Sequence, residues 1–514
     1  MSLLNDVMVF FMKRRTERIR HFMANPVEVQ HTVFHQLIEA ARHTVWGEKY
    51  GYSSIQTIQD FQNRVPISTY EDLYPCIERV LRGEQNVLWP SDVEWFAKSS
   101  GTTNARSKFI PITPESLEES HYRGGKDVMT LFAQNRPETG IFEGKGLSIG
   151  GSLQPNLMNE ASGVMIGDVS AVIMKNLPTW AEYIRTPPLE VALMDKWEDK
   201  LSQMAELCTQ ENVTSILGVP TWVIVLLERI MEQTGAKSLL EIWPNFEVFV
   251  HGAVAFHPYR DLFATKFFPS ERVTYLETYN ASEGCFAIQD DLARPNELLL
   301  MLDYGIFYEF VPMDEFENQH PRARTLDEVE LDKNYAMLIS TNGGLWRYQI
   351  GDTVKFTSKY PFRIKVSGRT KHFINAFGEE IIVENADAAI THACEQTGGV
   401  INDYTAGPVY IQNNQKGRHE WIVEFSRPPA DLNKFSAALD TKLRELNSDY
   451  DAKRYLDIAL LPPVLRNVPT GTFYNWMARR GKLGGQNKVP RLSNSREYVE
   501  GILEMIGANG QPVN

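Results

Sequence analysis

The 514-residue chain is expected to be an α/β protein, with a large multi-layer N-terminal domain over residues 1–370 and a small α+β domain over residues 371–514. Three observations predict this. Between about residues 60 and 370, segments of helical period alternate with short β-branched and aromatic runs, as in VTSILGVP, then TWVIVLLERIMEQTG, then FEVFVHGA, the pattern of strands crossed by helices. In the last third GPVYIQNN and HEWIVEF read as a strand pair around NNQKG, followed by a charged amphipathic helix near FSAALDTKLRELN and a final helix from Ser495. The composition, 43% hydrophobic and 23% charged, suits a large buried core. No repeat with a period of about 20 to 50 residues is visible.

Composition also narrows the function. With 52 Lys+Arg against 65 Asp+Glu the net charge is -13, which disfavours extended contact with nucleic acid or an anionic membrane and leaves room only for a local basic pocket. Cys76, Cys208, Cys285 and Cys394 are far apart and form no CxxC pair. They indicate neither a disulfide framework nor a zinc knuckle, and a reducing cytoplasm and a monomer are expected. The amino terminus, MSLLNDVMVFFMKRRTERIR, carries its positive charge after the apolar stretch, the reverse of a secretory signal. It reads as a surface helix, with organelle import the alternative.

The stretch KSSGTTNARSKF, residues 98–109, is unsuited to a helix because Ser, Thr and Asn divert hydrogen bonds to their own backbone. A loop from Ser99 to Asn104 is expected, with N–H groups and hydroxyls facing outward beside Arg106 and Lys108, a fit for a polyphosphate. No Gly-Lys-Ser/Thr follows, so it is not the phosphate loop of the common NTPases. His31 and His35 share a helix face but lack an acidic partner, and helix packing is expected rather than metal. The glycines of GKGLSIGGS, residues 144–152, follow no dinucleotide spacing and indicate turns or close packing. Gly-x-Ser-x-Gly and paired zinc motifs are missing.

Three further stretches give the loop a context. YNASEG, from Tyr279 through Asn280, Ala281, Ser282 and Glu283 to Gly284, resembles the aromatic-x-x-Ser/Thr-Glu turn of acyl-adenylate-forming enzymes. RYQIGDTVKF, from Arg347, resembles their Tyr-Arg-x-Gly-Asp strand. VFVHGAVAF carries a Gly252-Ala253 step like the one that lies against adenine in that superfamily, and GRTKHFINAFGEE resembles its interdomain hinge. Within the superfamily, FAKSSGTT, YEFVP at residue 308, LWRYQIGD and GKLGGQNKVPRLSN resemble the auxin-responsive, Gretchen Hagen-type acyl acid amido synthetases in a bacterial-like form, over nearly the whole chain. Two departures stand out: plant members commonly have Arg where Gln349 stands, and Asn104 replaces the superfamily's glycine.

The resemblance implies a large domain of the acyl-adenylate-forming type and an ATP site. Ser99, Ser100, Thr102 and Thr103 would donate to the phosphates. Glu283 would hold Mg²⁺, a hard cation that prefers oxygen ligands. Asp352 would accept hydrogen bonds from the ribose hydroxyls. Lys488 would contact the α-phosphate and the substrate carboxylate together, with Lys482 its neighbour and competitor. Small-domain closure about a hinge near Lys371 would bring that lysine in for adenylation.

The expected activity is therefore ATP-dependent: a small-molecule carboxylic acid becomes an acyl-AMP, and the acyl group passes to an amine, an amino acid, to form an amide. Val219 and Trp222, in GVPTW, are expected in an acyl pocket with apolar and aromatic walls. The alternatives are an acyl-thioester ligase using coenzyme A and a non-catalytic nucleotide-binding protein. The basic group Arg479, Arg480, Lys482, Lys488 and Arg491 is expected to serve ATP rather than coenzyme A.

Overall fold

A computed structural model describes residues 3–99, 108–156, 158, 163–254, 256–316, 318–370, 373–410, 416–457, 459–480 and 489–507. Two long helices, Leu3–Ala24 and Pro26–Ala41, open the chain. Among the described residues no helix is long and apolar enough to cross a membrane. Asp127, buried on the Arg123–Asn135 helix, holds Arg15 at 2.6 Å and accepts from Tyr304 Oη at 2.7 Å, which fastens the first helix to the body. His31 and His35 lie on the solvent face of the second helix and do not pack into the core as the sequence implied. Val33, Phe34, Leu37 and Ile38 take the buried face instead.

The centre is an 11-stranded mixed sheet. Its parallel half runs from Thr274–Ala281 through Val248–His251, Val213–Gly218 and Lys145–Ser148 to Arg185–Thr186. Val213–Gly218 and Val248–His251, at the middle of this half, are apolar and mostly buried, as strands covered by helices such as Pro220–Thr234 are. That helix starts with proline at its first turn and stops at Gly235, whose φ of 71° ends it in a left-handed cap. The other half is antiparallel, through Gly284–Ile288, Leu298–Leu300, Phe362–Arg369, Tyr348–Lys359, Asn334–Thr341 and Ile306–Pro312. Thr274–Ala281 is thus parallel to one neighbour and antiparallel to the other.

A second, 4-stranded sheet contains Trp95–Ser99 and Lys108–Ile112. Ser99 ends its strand paired with Lys108, so it stands at the mouth of the expected loop rather than inside it. Ser100, Thr102, Thr103 and Asn104 lie outside the described residues.

Beyond Arg369 a separate 3-stranded sheet forms from Val400–Val409, Arg418–Arg427 and Val464–Val468, flanked by Leu432–Leu446 and Glu497–Ile506. The expected strand pair and both expected helices are these elements. The C-terminal part is not loosely tethered. Ile374, Phe377, Tyr404 and Trp421 share one apolar core with Ile224, Leu227, Phe249 and Tyr259 of the large body. Tyr259 donates to Ala376 O at 2.5 Å and Thr221 to Phe377 O at 3.0 Å.

Candidate functional site

A cavity of about 2580 Å³ opens where the sheet changes from parallel to antiparallel, between the large body and the C-terminal part. Ser99, Val219, Trp222, Gly252, Ala253, Tyr279, Asn280, Ala281, Ser282, Glu283 and Asp352 all line it. Lys488, Lys482 and Lys371 lie outside the described residues.

The local reasons are specific. Gly252 follows the Val248–His251 strand, where a Cβ would meet Thr278 O at 2.6 Å and Thr278 Oγ1 at 2.9 Å. Only glycine fits so close to the neighbouring backbone. Ala253 then turns with a φ of 68°, and its carbonyl accepts from Asn375 Nδ2 at 3.2 Å. Asn280 and Ala281 end the Thr274–Ala281 strand, and Ser282 and Glu283 form the turn into Gly284–Ile288.

Asp352 is buried, accepting from Tyr279 Oη at 2.6 Å and from Arg369 Nε at 2.9 Å. Arg369, the last residue of its strand, also donates to Glu380 at 2.8 Å. Burial, together with the Asp352 carboxylate, pushes the Tyr279 phenol far up, so it is a donor at neutral pH.

Glu283 sits beside Tyr348, whose hydroxyl donates to Oε1 at 3.3 Å, while Lys108 Nζ donates to that hydroxyl at 3.2 Å. Burial raises the Glu283 carboxyl above the ordinary glutamate range, and the Lys108 charge pulls it back. Ile350 and Asp352 line the cavity; Gln349 does not. Adjacent side chains on a strand point to opposite faces, so Gln349 faces away from Tyr348 and Glu283.

The remaining walls are mixed. Val219, Trp222, Met174, Ile184 and Met194 are apolar, and Trp180 and Tyr183 stand exposed at the cavity. The GKGLSIGGS glycines are there for close packing: a Cβ on Gly150 would meet Ala192 O at 2.7 Å, and one on Gly151 would meet Asp168 at 2.1 Å. Lys200 donates to the carbonyls of Gly150 and Gly151 at 2.9 and 3.2 Å, and burial lowers its ammonium to about 8.

Sequence reasoning missed Lys200, Tyr348 as a partner of Glu283, and Lys453. It named Arg369 only inside a quoted stretch. It also misjudged the described part of the basic group. Arg480 pairs with Glu497 at 2.7 Å and stacks on Trp476. Arg491 pairs with Asp387 and stacks on Tyr404. Neither lines the cavity, and nor does Arg479.

Two of the quoted motifs meet away from the cavity. Glu309 of YEFVP and Arg347 of LWRYQIGD form a buried bidentate pair at 2.9 and 3.0 Å, and Arg347 also donates to the carbonyls of Gln62 and Val65.

Known proteins resemble this chain in sequence and fold. The model of the GH3 family N-terminal domain matches residues 15–273, that of the central domain residues 299–369, and that of the C-terminal domain residues 384–497. The 4-substituted benzoates-glutamate ligase GH3.12 of Arabidopsis thaliana is 21% identical, over 95% of this chain and 96% of its own. The indole-3-acetic acid-amido synthetase GH3.3 of the same plant is 22% identical, over 92% and 90%. The solved structure of AtGH3.15 acyl acid amido synthetase in complex with 2,4-DB superposes with a TM-score of 0.61 at 17% identity, covering 96% of this chain and 95% of that one.

Proposed function

The chain belongs to the GH3 family, and from that premise we propose that it is an ATP-dependent ligase: it converts a carboxylic acid to an acyl-AMP and passes the acyl group to the α-amine of an amino acid, forming an amide. The observation that carries this reading is the gathering of the phosphate-loop residue Ser99, the Gly252-Ala253 step, the Tyr279–Glu283 turn and Asp352 around one cavity that also holds Val219 and Trp222. Joining ATP to a carboxylate brings two anions together, and the walls offer the means to hold both.

Gly252 and Ala253 leave a bare backbone edge for adenine. Asp352, fixed by Tyr279 and Arg369, keeps acceptor capacity for the ribose hydroxyls. Ser99 with Ser100, Thr102 and Thr103 would donate to the phosphates. Among the described residues there is no group of three or more His, Cys, Asp or Glu able to hold a metal. Glu283, one carboxylate of the cavity wall, instead suits Mg²⁺ carried in with ATP, since that ion keeps waters and phosphate oxygens and needs only one or two protein carboxylates. When bound, the ion would neutralise phosphate charge.

Lys488, with Lys482 as competitor, is the adenylating lysine of this reading, carried by a small domain of residues 371–514 that alternates about Lys371. Apolar and aromatic walls favour a hydrophobic or aromatic acid. A monomer working in the cytoplasm, with four free and separated cysteines, completes the proposal.

The test is a panel of carboxylic acids assayed for acid-dependent pyrophosphate release. The active acid is then offered with each amino acid and, separately, with coenzyme A, and products are identified by mass. An amide is expected. A thioester with no amide from any amino acid would transfer the reading to the acyl-CoA ligases. ATP binding with no release for any acid would leave a non-catalytic nucleotide-binding protein.

A further inference from the structure

Lys453 lies on the short helix Ser448–Arg454 of the C-terminal part, yet it is only 4% exposed and lines the cavity. Its Nζ sits 3.8 Å from the centre of the Trp222 ring. Gly378, turning with a φ of 85°, brings its backbone alongside: a Cβ there would stand 3.4 Å from Lys453 Nζ and 3.8 Å from Val219 Cγ1. The ammonium is thus wedged between the C-terminal part and the Val219–Trp222 wall. Among the described residues it has no ion-pair partner within 4.0 Å and no hydrogen bond, and beyond Arg369 it is the cavity's one described cation.

An ammonium buried this far costs stability unless something compensates it. A Trp face compensates in part. The carboxylates of Asp449, Glu379 and Asp168 act on it only at longer range, and burial still lowers it to about 8. A donor with three protons, aimed into a substrate cavity without an acceptor of its own, marks a place for an anion.

Resting on the reading given under Proposed function, we propose that Lys453 binds the α-carboxylate of the acceptor amino acid and so sets the preference for amino acids over simple amines. The acid's own carboxylate is neutralised when acyl-AMP forms. The acceptor's carboxylate takes no part in the chemistry, survives into the product, and is the anion still to be recognised in the amide-forming step. A cation carried by the C-terminal part and pressed against the acyl wall is placed for that step. Its contact would hold the acceptor's α-amine, two bonds from the carboxylate carbon, beside the bound acyl group.

The experiment uses matched acceptors with an acid that supports pyrophosphate release: L-phenylalanine against phenethylamine, L-alanine against ethylamine, and L-glutamate against 4-aminobutyrate. Wild type is expected to prefer the amino acid of each pair. In Lys453→Met the ratio of kcat/KM values should fall by about 10- to 100-fold, the size of one lost charge-assisted contact, through a raised KM for the amino acid. Lys453→Arg should restore much of it.

An unchanged ratio in a folded Lys453→Met protein overturns the proposal. So does a changed KM for the acid with acceptor preference intact, which would assign the ammonium to the acyl substrate. If wild type releases no pyrophosphate with any acid, the ligase reading falls and takes this inference with it. If Lys453→Met is unfolded, the same ratio is read in Lys453→Gln, which keeps a polar tip.

Discussion

Replacing Asp352 with Ala tests the nucleotide site where the structure is most explicit. The carboxylate is buried and carries two contacts, from Tyr279 Oη at 2.6 Å and Arg369 Nε at 2.9 Å. Arg369 keeps a second anchor in Glu380 at 2.8 Å, so the substitution removes one of its two partners and takes from Tyr279 the acceptor it holds. Losing these contacts should cost about 1–3 kcal/mol of folding stability. The larger effect is on ATP. A lost charge-assisted ribose contact is worth roughly 2 to 4 kcal/mol of transition-state stabilisation, or about 30- to 1000-fold in kcat/KM for ATP. Asp352→Asn keeps one acceptor oxygen and should fall between Ala and wild type. The assay is acid-dependent pyrophosphate exchange against ATP concentration, with thermal unfolding measured alongside. A folded Asp352→Ala protein with unchanged kcat/KM for ATP would remove Asp352 from the nucleotide site.

Glu283→Gln should abolish magnesium-dependent pyrophosphate release with little loss of stability. In wild type kcat/KM for ATP, which reports the free enzyme, should decline on acidification with a midpoint above the ordinary glutamate range, because burial raises that carboxyl before the cation arrives; a decline centred at or below that range would count against the role. His251, buried and stacked on Phe256 at 4.0 Å, is lowered from 6.5 to about 3. The unfolded chain therefore takes up a proton near 6.5 that the folded protein refuses until about 3, and stability is lost as pH falls through that window. His251→Phe should flatten the pH dependence of the unfolding free energy from urea melts between about pH 6 and 4 by a few kcal/mol at most, and a slope equal to wild type refutes this. Glu309→Ala leaves Arg347 buried without its carboxylate and should cost about 3–5 kcal/mol, read as a lowered Tm. An unchanged Tm would mean the pair contributes no structural stability.

The sequence was most legible where one stretch is self-sufficient. The Val213–Gly218 strand and the Pro220–Thr234 helix declare themselves because periodicity, a leading proline and a closing glycine are all local. The same holds for the Leu432–Leu446 helix, which Asp431 caps by accepting from Asn433 N and Lys434 N. His31 and His35 were misjudged because helical spacing shows that two residues share a face but not which face turns inward. Here the neighbouring Val33, Phe34, Leu37 and Ile38 decide it.

Residues whose meaning depends on distant partners were the ones misread or missed. In SDYDAKRY, Lys453 stands among charges and looks like an ordinary solvated helix residue. It becomes a buried cation only because the helix docks on Trp222, which no local signal announces. Arg347 carries the opposite lesson. It adjoins the Tyr348–Asp352 strand segment that reaches Glu283 and the cavity, yet its φ of 43° sends the side chain to Glu309 and the carbonyls of Gln62 and Val65. A recurring motif thus holds two kinds of residue. Arg347 and Glu309 lock the antiparallel half of the sheet to the end of the short helix Ile58–Arg64. Tyr348 and Asp352, one and five positions on, face Glu283, Tyr279 and Arg369. The lock explains why a strand lining a large open cavity can hold its carboxylate in place: Asp352 is positioned by a backbone pinned on the far side by a buried ion pair, and on the near side by Tyr279 and Arg369. Loosening the lock by Glu309→Ala should therefore raise the KM for ATP even though neither partner touches the nucleotide cavity.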